Sequence, residues 1–290
     1  MTSTSTAPTQ PTTQLMWRLG AGSTIVSTGA AILLIPLADR TADFFAWTIA
    51  VPASAAFIGL FYLALTVMGV LGLRQPWWAP ARAALEPAVV FVALVLVTTL
   101  LHLDKFHLFS GGAAARAAAW IWLVIYVVTV PLYVLGFWWQ RRAPGGDPPR
   151  TAPPPPWARV ALGGLAVGLA LAGLALFVAP PLGASLWPWA LTPLTARMIG
   201  VTLISVALLA ASVVRMADRV TGRIPTIGLL TFGVAALAVT ARYGDQVEWS
   251  RPSAWAYLAV ALTLAVVTSA MLPRSGSAHP SAAPPGGTPA

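Results

Sequence analysis

The chain has 290 residues, 58% of them hydrophobic and 9% charged, with a mean hydropathy of +0.78. This composition excludes a water-soluble globular protein, because so few polar residues cannot cover the surface of a chain of this length. The formal net charge of +9 does not indicate nucleic-acid binding, because the basic residues lie mainly between apolar segments. The sequence has no cysteine, which excludes disulfides, thiolate metal ligands and a cysteine nucleophile.

Eight apolar segments follow one another, and each has about the 20 residues that a membrane-spanning helix needs. The sequence therefore predicts an all-α polytopic membrane protein with eight transmembrane helices. The predicted spans are residues 20–38, 52–73, 87–103, 117–138, 160–178, 193–214, 224–241 and 254–272. The first segment is interpreted as a retained helix rather than a cleaved signal peptide, because its counterpart near residue 181 lies in the middle of the chain.

The two halves of the chain resemble each other. Residues 52–104 align without a gap on residues 193–245 at a constant offset of 141 (193 − 52 = 141), and ten of the 53 aligned pairs are identical. A half with an even number of helices returns the chain to the side where it began, so the alignment predicts two parallel four-helix repeats. The matched pairs include Pro52 with Pro193, Gly59 with Gly200, Arg74 with Arg215, Arg82 with Arg223, Phe91 with Phe232, and Asp104 with Asp245.

The predicted organisation alternates membrane repeats with segments that cannot form a core. Four-helix repeats are expected over residues 20–142 and 159–273. A Pro-rich cytoplasmic linker over residues 143–158 joins them, and disordered cytoplasmic tails occupy residues 1–19 and 274–290. The tails and the linker are rich in Pro, Thr, Ser, Ala and Gly, which bury too little apolar surface to fold.

The distribution of basic residues predicts the orientation of the chain. Eleven of the 17 Lys and Arg residues fall on one side of the predicted topology, and short cytoplasmic loops carry an excess of these residues. Both termini are therefore expected in the cytoplasm and the protein in the bacterial plasma membrane. The eleven are Arg18, Arg74, Arg82, Arg141, Arg142, Arg150, Arg159, Arg215, Arg219, Arg223 and Arg274.

Two further patterns concern packing. The connectors at residues 44–47 and 185–193 are apolar and aromatic, which is typical of interfacial anchors; the alternative is a lid over a site between the repeats. Gly164, Gly168 and Ala172 form a row of small residues that predicts close helix packing. The tryptophans expected to anchor at headgroup depth are Trp47, Trp120, Trp138, Trp139, Trp187, Trp189 and Trp255.

Polar residues concentrate at the predicted outer ends of the spans. Asp104 and Asp245 occupy matching positions, and a symmetric arrangement would bring them near each other and near Arg197, which is expected to pair with Asp245 or to snorkel. A metal site, a functional ion-pair site and ordinary interfacial salt bridging are the alternatives. The candidate outward polar cluster consists of His102, Asp104, His107, Arg197, Asp245 and Glu248.

The residues that the spans lack bear on the function class. No Asp, Glu, Lys or His lies near the middle of a predicted span, so the usual coupling residue of a secondary transporter is missing. The sequence has no P-loop and no HExxH motif, and no catalytic, cofactor-binding or metal-binding residue is assigned.

The sequence therefore favours a non-enzymatic scaffold, partner subunit or envelope-associated component without cofactors. Its expected partners are membrane lipids and an unidentified membrane protein. The first alternative is a carrier or lipid-handling protein with a site between the repeats near the outer face. The second alternative is a membrane enzyme that acts at the outer face through residues such as Asp104 and Asp245.

Two strings carry a resemblance to other proteins. Residues 186–197 read LWPWALTPLTAR and residues 102–107 read HLDKFH. Together with the duplicated unit and the Ala, Arg, Pro and Trp usage, they resemble multi-pass membrane proteins of high-GC actinobacteria. The resemblance covers most of the membrane part and implies no particular activity.

Overall fold

The computed structural model describes residues 8–272, and this part of the chain is all-α. Short 3-10 turns lie at Ala38–Arg40, Leu103–Lys105 and Gly244–Gln246. The α-helices are α1 (Gln14–Leu34), α2 (Thr41–Phe44), α3 (Pro52–Gly72), α4 (Trp78–Leu101), α5 (Ala113–Gln140), α6 (Pro156–Val178), α7 (Pro180–Ser185), α8 (Pro193–Met216), α9 (Arg223–Arg242) and α10 (Pro252–Met271).

Seven of these helices, α3 to α6 and α8 to α10, are long and apolar enough to cross a membrane. The helix α1 passes the same test together with Ala38–Phe44, to which it is bent by 85°, so up to eight spans are present within residues 8–272. The fold is consistent with a multi-pass membrane protein.

Loops and ends define the two faces of the helix bundle. One face carries both ends of the described chain and residues 141–155, and we call it the linker face. The opposite face carries the three 3-10 turns, and we call it the turn face. We refer to α1–α5 as the first half and to α6–α10 as the second half. Within the halves α1 packs on α3 and α6 on α8, whereas between them α3 packs on α9 and α4 on α8.

Two helices begin six or more residues earlier than the sequence predicted. The span expected to begin at residue 87 begins at Trp78, because Pro87 is tolerated inside the helix, as prolines are in membrane helices. The first span begins at Gln14 rather than residue 20, where the Thr13 hydroxyl accepts a hydrogen bond from the amide of Met16. These extensions add polar turns at the linker face.

The segment before α1 lies across the linker face of the first half. Its backbone takes part in four hydrogen bonds that resemble strand pairing: Gln10 N donates to Gly146 O (3.0 Å), Gly146 N donates to Pro8 O (3.0 Å), Thr12 N donates to Pro76 O (2.9 Å), and Trp78 N donates to Gln10 O (2.9 Å). Residues 8–13, which fall in the predicted disordered tail 1–19, are therefore held to two loops.

The side chain of Gln140 also holds residues 11–13 of this segment through hydrogen bonds. It is fully buried, its Oε1 accepts from the amide of Thr13 (2.8 Å), and its Nε2 donates to the carbonyl of Pro11 (2.8 Å). Residues 1–7 of the first predicted tail and all of the second, residues 274–290, lie outside the described part of the chain.

The closest helix contact joins α6 to α8 through two glycines. A Cβ on Gly200 would lie 2.7 Å from the carbonyl oxygen of Gly173, and a Cβ on Gly173 would lie 2.8 Å from that of Gly200. The predicted row of Gly164, Gly168 and Ala172 is wrong as a packing surface, because all three residues are exposed and a Cβ on either glycine would meet nothing within 4 Å.

Candidate functional site

The structure joins two members of the predicted outward polar cluster across the two halves. His102 caps the end of α4, and its Nε2 lies 2.6 Å from Nη1 of Arg197 on α8. A guanidinium can only donate, so this contact assigns His102 as a neutral ring with a free acceptor at Nε2. Among residues 8–272, no ion pair within 4.0 Å joins Arg197 to Asp245.

The other members of the first-half motif make separate contacts. Asp104 is exposed and pairs with its neighbour Lys105 (3.0 Å), whose hydrogen bond lowers the pKa of Asp104. His107 folds back onto the connector that precedes α3. Its Nδ1 lies 3.1 Å from the carbonyl oxygen of Phe45 and its Nε2 lies 3.0 Å from the hydroxyl of Thr48.

The second-half members are surface groups. Asp245 lies exposed on the turn Gly244–Gln246. Glu248 pairs with Arg251 (2.6 Å) three residues further along. Within residues 8–272 no three His, Asp or Glu side chains are grouped as metal ligands, and no hydrogen bond or ion pair links Asp104, Asp245 and Glu248 to one another. The structure thus brings His102 and Arg197 together. Asp104, His107 and Glu248 make separate contacts, and Asp245 is exposed on its turn.

The contact between His102 and Arg197 predicts a pH-dependent stability. Burial and then the charge of Arg197, opposed by Asp104 and reinforced by Lys105, lower the pKa of His102. The unfolded chain therefore takes up a proton more readily, and stability is full above the unfolded pKa of about 6.5 and falls as the pH drops below it. We expect the midpoint of thermal unfolding in detergent to decrease between pH 7 and pH 5.5.

A glutamine at position 102 can still accept from Arg197 but does not titrate. The variant His102→Gln should therefore have a flatter profile than the wild type, whereas His107→Gln should retain the decline that belongs to His102. A profile that His102→Gln leaves unchanged contradicts the assignment.

The aromatic connectors are buried, not spread at the membrane interface. Trp47, Trp187 and Trp189 are 1%, 8% and 2% exposed, so the prediction of interfacial anchoring is wrong for these three. The turns at this face cover them, and within residues 8–272 the indole nitrogens of Trp47 and Trp187 have no hydrogen-bond partner. The remaining tryptophans of the predicted belt are exposed: Trp120, Trp138, Trp139 and Trp255.

Each connector is held by the turn that covers it. The amide of His107 donates to the carbonyl of Ala46 (2.9 Å), and the amide of Glu248 donates to the carbonyl of Pro188 (2.8 Å). Two members of the predicted cluster therefore have a clear structural role through their backbone.

Aromatic side chains fill the space between the halves at the turn face. Phe57 of α3 packs against four aromatic residues of the second half, with ring centroids 5.4 Å from Trp187, 6.2 Å from Trp189, 5.6 Å from Phe232 and 5.9 Å from Tyr257. The indole of Trp189 also donates to the hydroxyl of Ser54 on α3 (2.7 Å). The sequence also allowed a site between the repeats near the outer face. At the turn face, packed aromatic side chains occupy the space between the halves.

An ion-pair network joins the halves at the linker face. Glu86 of α4 pairs with Arg215 of α8 (2.6 Å) and lies 4.0 Å from Arg82, which pairs with Asp147 of the linker (2.7 Å). The side chains are one-third to two-thirds exposed, so each pair contributes little by itself. Sequence reasoning missed Glu86 because the span was expected to begin one residue after it.

The linker itself is fastened through Asp218. Burial opposes ionisation, but hydrogen bonds from Thr221 and from the amides of Thr151 and Ala152 lower the pKa of Asp218. The linker and the α8–α9 loop therefore form one polar layer at this face.

A cavity of about 360 Å³ lies within the first half, between α1, α3, α4 and α5. It reaches from Thr12 and Arg18 at the linker face to Tyr62 and Tyr126 further inside. Its walls are largely apolar, and its volume is within the range of small-molecule sites. From Met16 to Ser27 along α1 it extends for roughly 16 Å at 1.5 Å per residue.

Two pairs of hydroxyl groups lie in the otherwise apolar wall of the cavity. The hydroxyls of Ser23 and Tyr133 lie 2.8 Å apart, and those of Tyr62 and Tyr126 lie 2.5 Å apart. All four residues line the cavity. Sequence reasoning did not select them, although tyrosine inside an apolar span was an available signal, because a buried phenol needs a partner.

Part of the cavity lining is exposed at the surface of α1 and α5. Among the lining residues, Val124 and Val128 of α5 are 56% and 47% exposed, and Gly22 of α1 is exposed as well.

Comparisons with known proteins give no relative for this chain. No family model matches the sequence, and neither a curated protein nor a solved structure shows significant similarity to it.

Proposed function

We propose that the protein is a non-enzymatic lipid-handling protein of the bacterial cytoplasmic membrane that holds one membrane amphiphile in the cavity of its first half. The observation that carries this proposal is a cavity of about 360 Å³ that is apolar, contains paired hydroxyls and is bordered by exposed residues of α1 and α5. Apolar walls with a few placed polar groups are typical of ligand sites.

We further propose that eight transmembrane helices form two parallel four-helix repeats. The turns Leu103–Lys105 and Gly244–Gln246 lie 141 residues apart, at the offset of the sequence match (244 − 103 = 141). The backbone hydrogen bonds that hold the connectors recur as well. Their donors, His107 and Glu248, are 141 residues apart (248 − 107 = 141), and their acceptors, Ala46 and Pro188, are 142 residues apart (188 − 46 = 142). The crossed packing of α3 on α9 and of α4 on α8 is what an axis between the halves would produce.

The proposed orientation puts the linker face in the cytoplasm. All the basic residues that the sequence assigns to the cytoplasmic side within residues 8–272 belong to helix ends or loops of this face. The cavity mouth at Arg18 would then face the cytoplasmic leaflet. A scaffold role with a protein partner and an outer-face enzyme remain predictions that no contact described above favours.

Filling the cavity tests the proposal. Gly20 and Gly72 line it, and a Cβ on either would meet nothing within 4 Å, so phenylalanine fits there without a backbone clash. The protein is reconstituted in vesicles with a trace of lipid that carries a photoreactive group in its acyl chain, and the labelled peptides are mapped. We expect α1 and α5 peptides at the cavity to be labelled, and Gly20→Phe with Gly72→Phe to reduce this labelling about tenfold.

The matched control is Gly163→Phe with Gly164→Phe in α6, where the added side chains also find open space but lie outside the cavity. This variant should be labelled at the cavity like the wild type. Labelling that spreads evenly over all lipid-facing helices and ignores the filled cavity would refute a lipid site.

A further inference from the structure

The charge around the cavity is confined to one residue. Of the residues that line it, Arg18 is the single charged one, and no acidic side chain is among them. Arg18 is exposed in the first turns of α1, and within residues 8–272 it has no ion pair within 4.0 Å. Its charge is therefore uncompensated by protein at the linker-face mouth.

An unsatisfied hydroxyl lies at the same end. Thr12 lines the cavity, and its Oγ1 is buried and has no hydrogen-bond partner among residues 8–272. Leaving a buried hydroxyl unpaired is unfavourable, so an acceptor on a bound ligand that this hydroxyl reaches would stabilise it. A single cation and a single free donor thus mark one end of an otherwise apolar cavity.

We propose that the cavity selects an amphiphile with an anionic head group, which Arg18 and Thr12 hold at the linker-face mouth. The apolar chain then extends past Tyr133 towards Tyr62 and Tyr126. Trp17, whose indole donates to the carbonyl of Leu73 (3.3 Å), flanks the mouth as tryptophans do at headgroup depth. This inference rests on the lipid-binding function proposed above and adds the class of ligand.

The second half offers a matched control for the charge. Arg159 lies 141 residues after Arg18 (159 − 18 = 141), near the start of α6, is exposed, and does not line the cavity. General attraction of anionic lipid to a basic face would involve both arginines equally, whereas a head-group site involves Arg18 alone.

The test uses the full chain in phosphatidylcholine vesicles with trace photoreactive lipids of equal chain length. Their head groups are phosphocholine, phosphoglycerol or, in a fatty acid, a free carboxylate. We expect the wild type to label the cavity roughly fivefold more with an anionic probe than with phosphocholine, as one arginine near a membrane surface would give. Stronger labelling by the phosphoglycerol probe indicates a phospholipid as the ligand, and stronger labelling by the carboxylate probe indicates a fatty acid.

The variants separate the site from its surroundings. Arg18→Gln should abolish the anionic preference and keep the phosphocholine labelling, and Arg159→Gln should leave both unchanged. Thr12→Val should reduce anionic labelling while the lipid-free protein stays as stable as the wild type or becomes more so. Equal labelling by all head groups, or an equal effect of both arginine variants, overturns the inference while leaving lipid binding intact. Cavity labelling that is absent for every probe defeats the proposed function instead.

Discussion

Replacing Gly200 by leucine is expected to abolish the stable fold, with a loss of about 3 kcal/mol or more in the free energy of unfolding. The added Cβ alone would lie 2.7 Å from the carbonyl oxygen of Gly173 and 2.9 Å from the amide nitrogen of Phe177. Both are backbone atoms, so relief requires α6 and α8 to move apart. Reversible unfolding in mixed detergent micelles measures the loss, and monodisperse elution shows whether folded protein forms at all.

The rejected glycine row supplies the control. Gly164→Leu and Gly168→Leu place the same side chain on the exposed side of α6, where a Cβ meets nothing within 4 Å, and should leave stability within about 0.5 kcal/mol of the wild type. Because Gly173 and Gly200 meet in one contact, the milder pair Gly173→Ala and Gly200→Ala should be non-additive, since one separation of the helices accommodates both methyl groups. Additive losses would show that the two glycines act independently.

The all-α class and the seven, or up to eight, spans within residues 8–272 follow from the sequence because they depend on apolar length and composition, whereas helix contacts depend on which side of each helix faces a neighbour. Gly164 and Gly168 have the spacing of a packing motif, yet they face outward, and Gly173 with Gly200 make the contact. In a chain this rich in Ala and Gly, small residues occur on every side of a helix, so spacing cannot select one side.

The predicted site illustrates the same difference. Matching positions predicted that Asp104 and Asp245 lie near Arg197, but among residues 8–272 no ion pair within 4.0 Å joins Arg197 to either carboxylate. The contact between halves instead joins His102 to Arg197, whose counterparts are Tyr243 and Ala56. The cavity was inaccessible to this reasoning because it is the space that four packed helices leave between them.

The two halves differ where the cavity lies. In the second half Gly173 and Gly200 bring α6 and α8 into backbone contact. In the first half Gly59 of α3 contacts the end of α1 beside Leu34 and Ile35. Nearer the other end of α3, the side chain of Thr24 occupies the space beside Gly69. A half that packs closely and a half that packs loosely thus supply the support and the binding site, respectively, under the function that we propose.

Truncating Phe57 to alanine should weaken the association of the halves by about 3 kcal/mol, because a fully buried phenylalanine leaves a cavity among rings that cannot close around it. Its four aromatic neighbours all belong to the second half, so the loss falls on the interface rather than on α3 itself. Unfolding in mixed micelles measures it. In a double-mutant cycle with Trp189→Ala, the coupling should exceed about 0.5 kcal/mol, since the two rings are in contact.

The control is a large aromatic residue that is exposed, whereas Phe57 is buried. Trp255 is 59% exposed, so Trp255→Ala should cost less than about 1 kcal/mol although it removes more atoms than the substitution of Phe57. If both variants are equally stable, the aromatic cluster does not hold the halves together. The packing of α3 on α9 beyond Phe57 and of α4 on α8 would then have to carry the association, because these are the most extensive contacts between the halves.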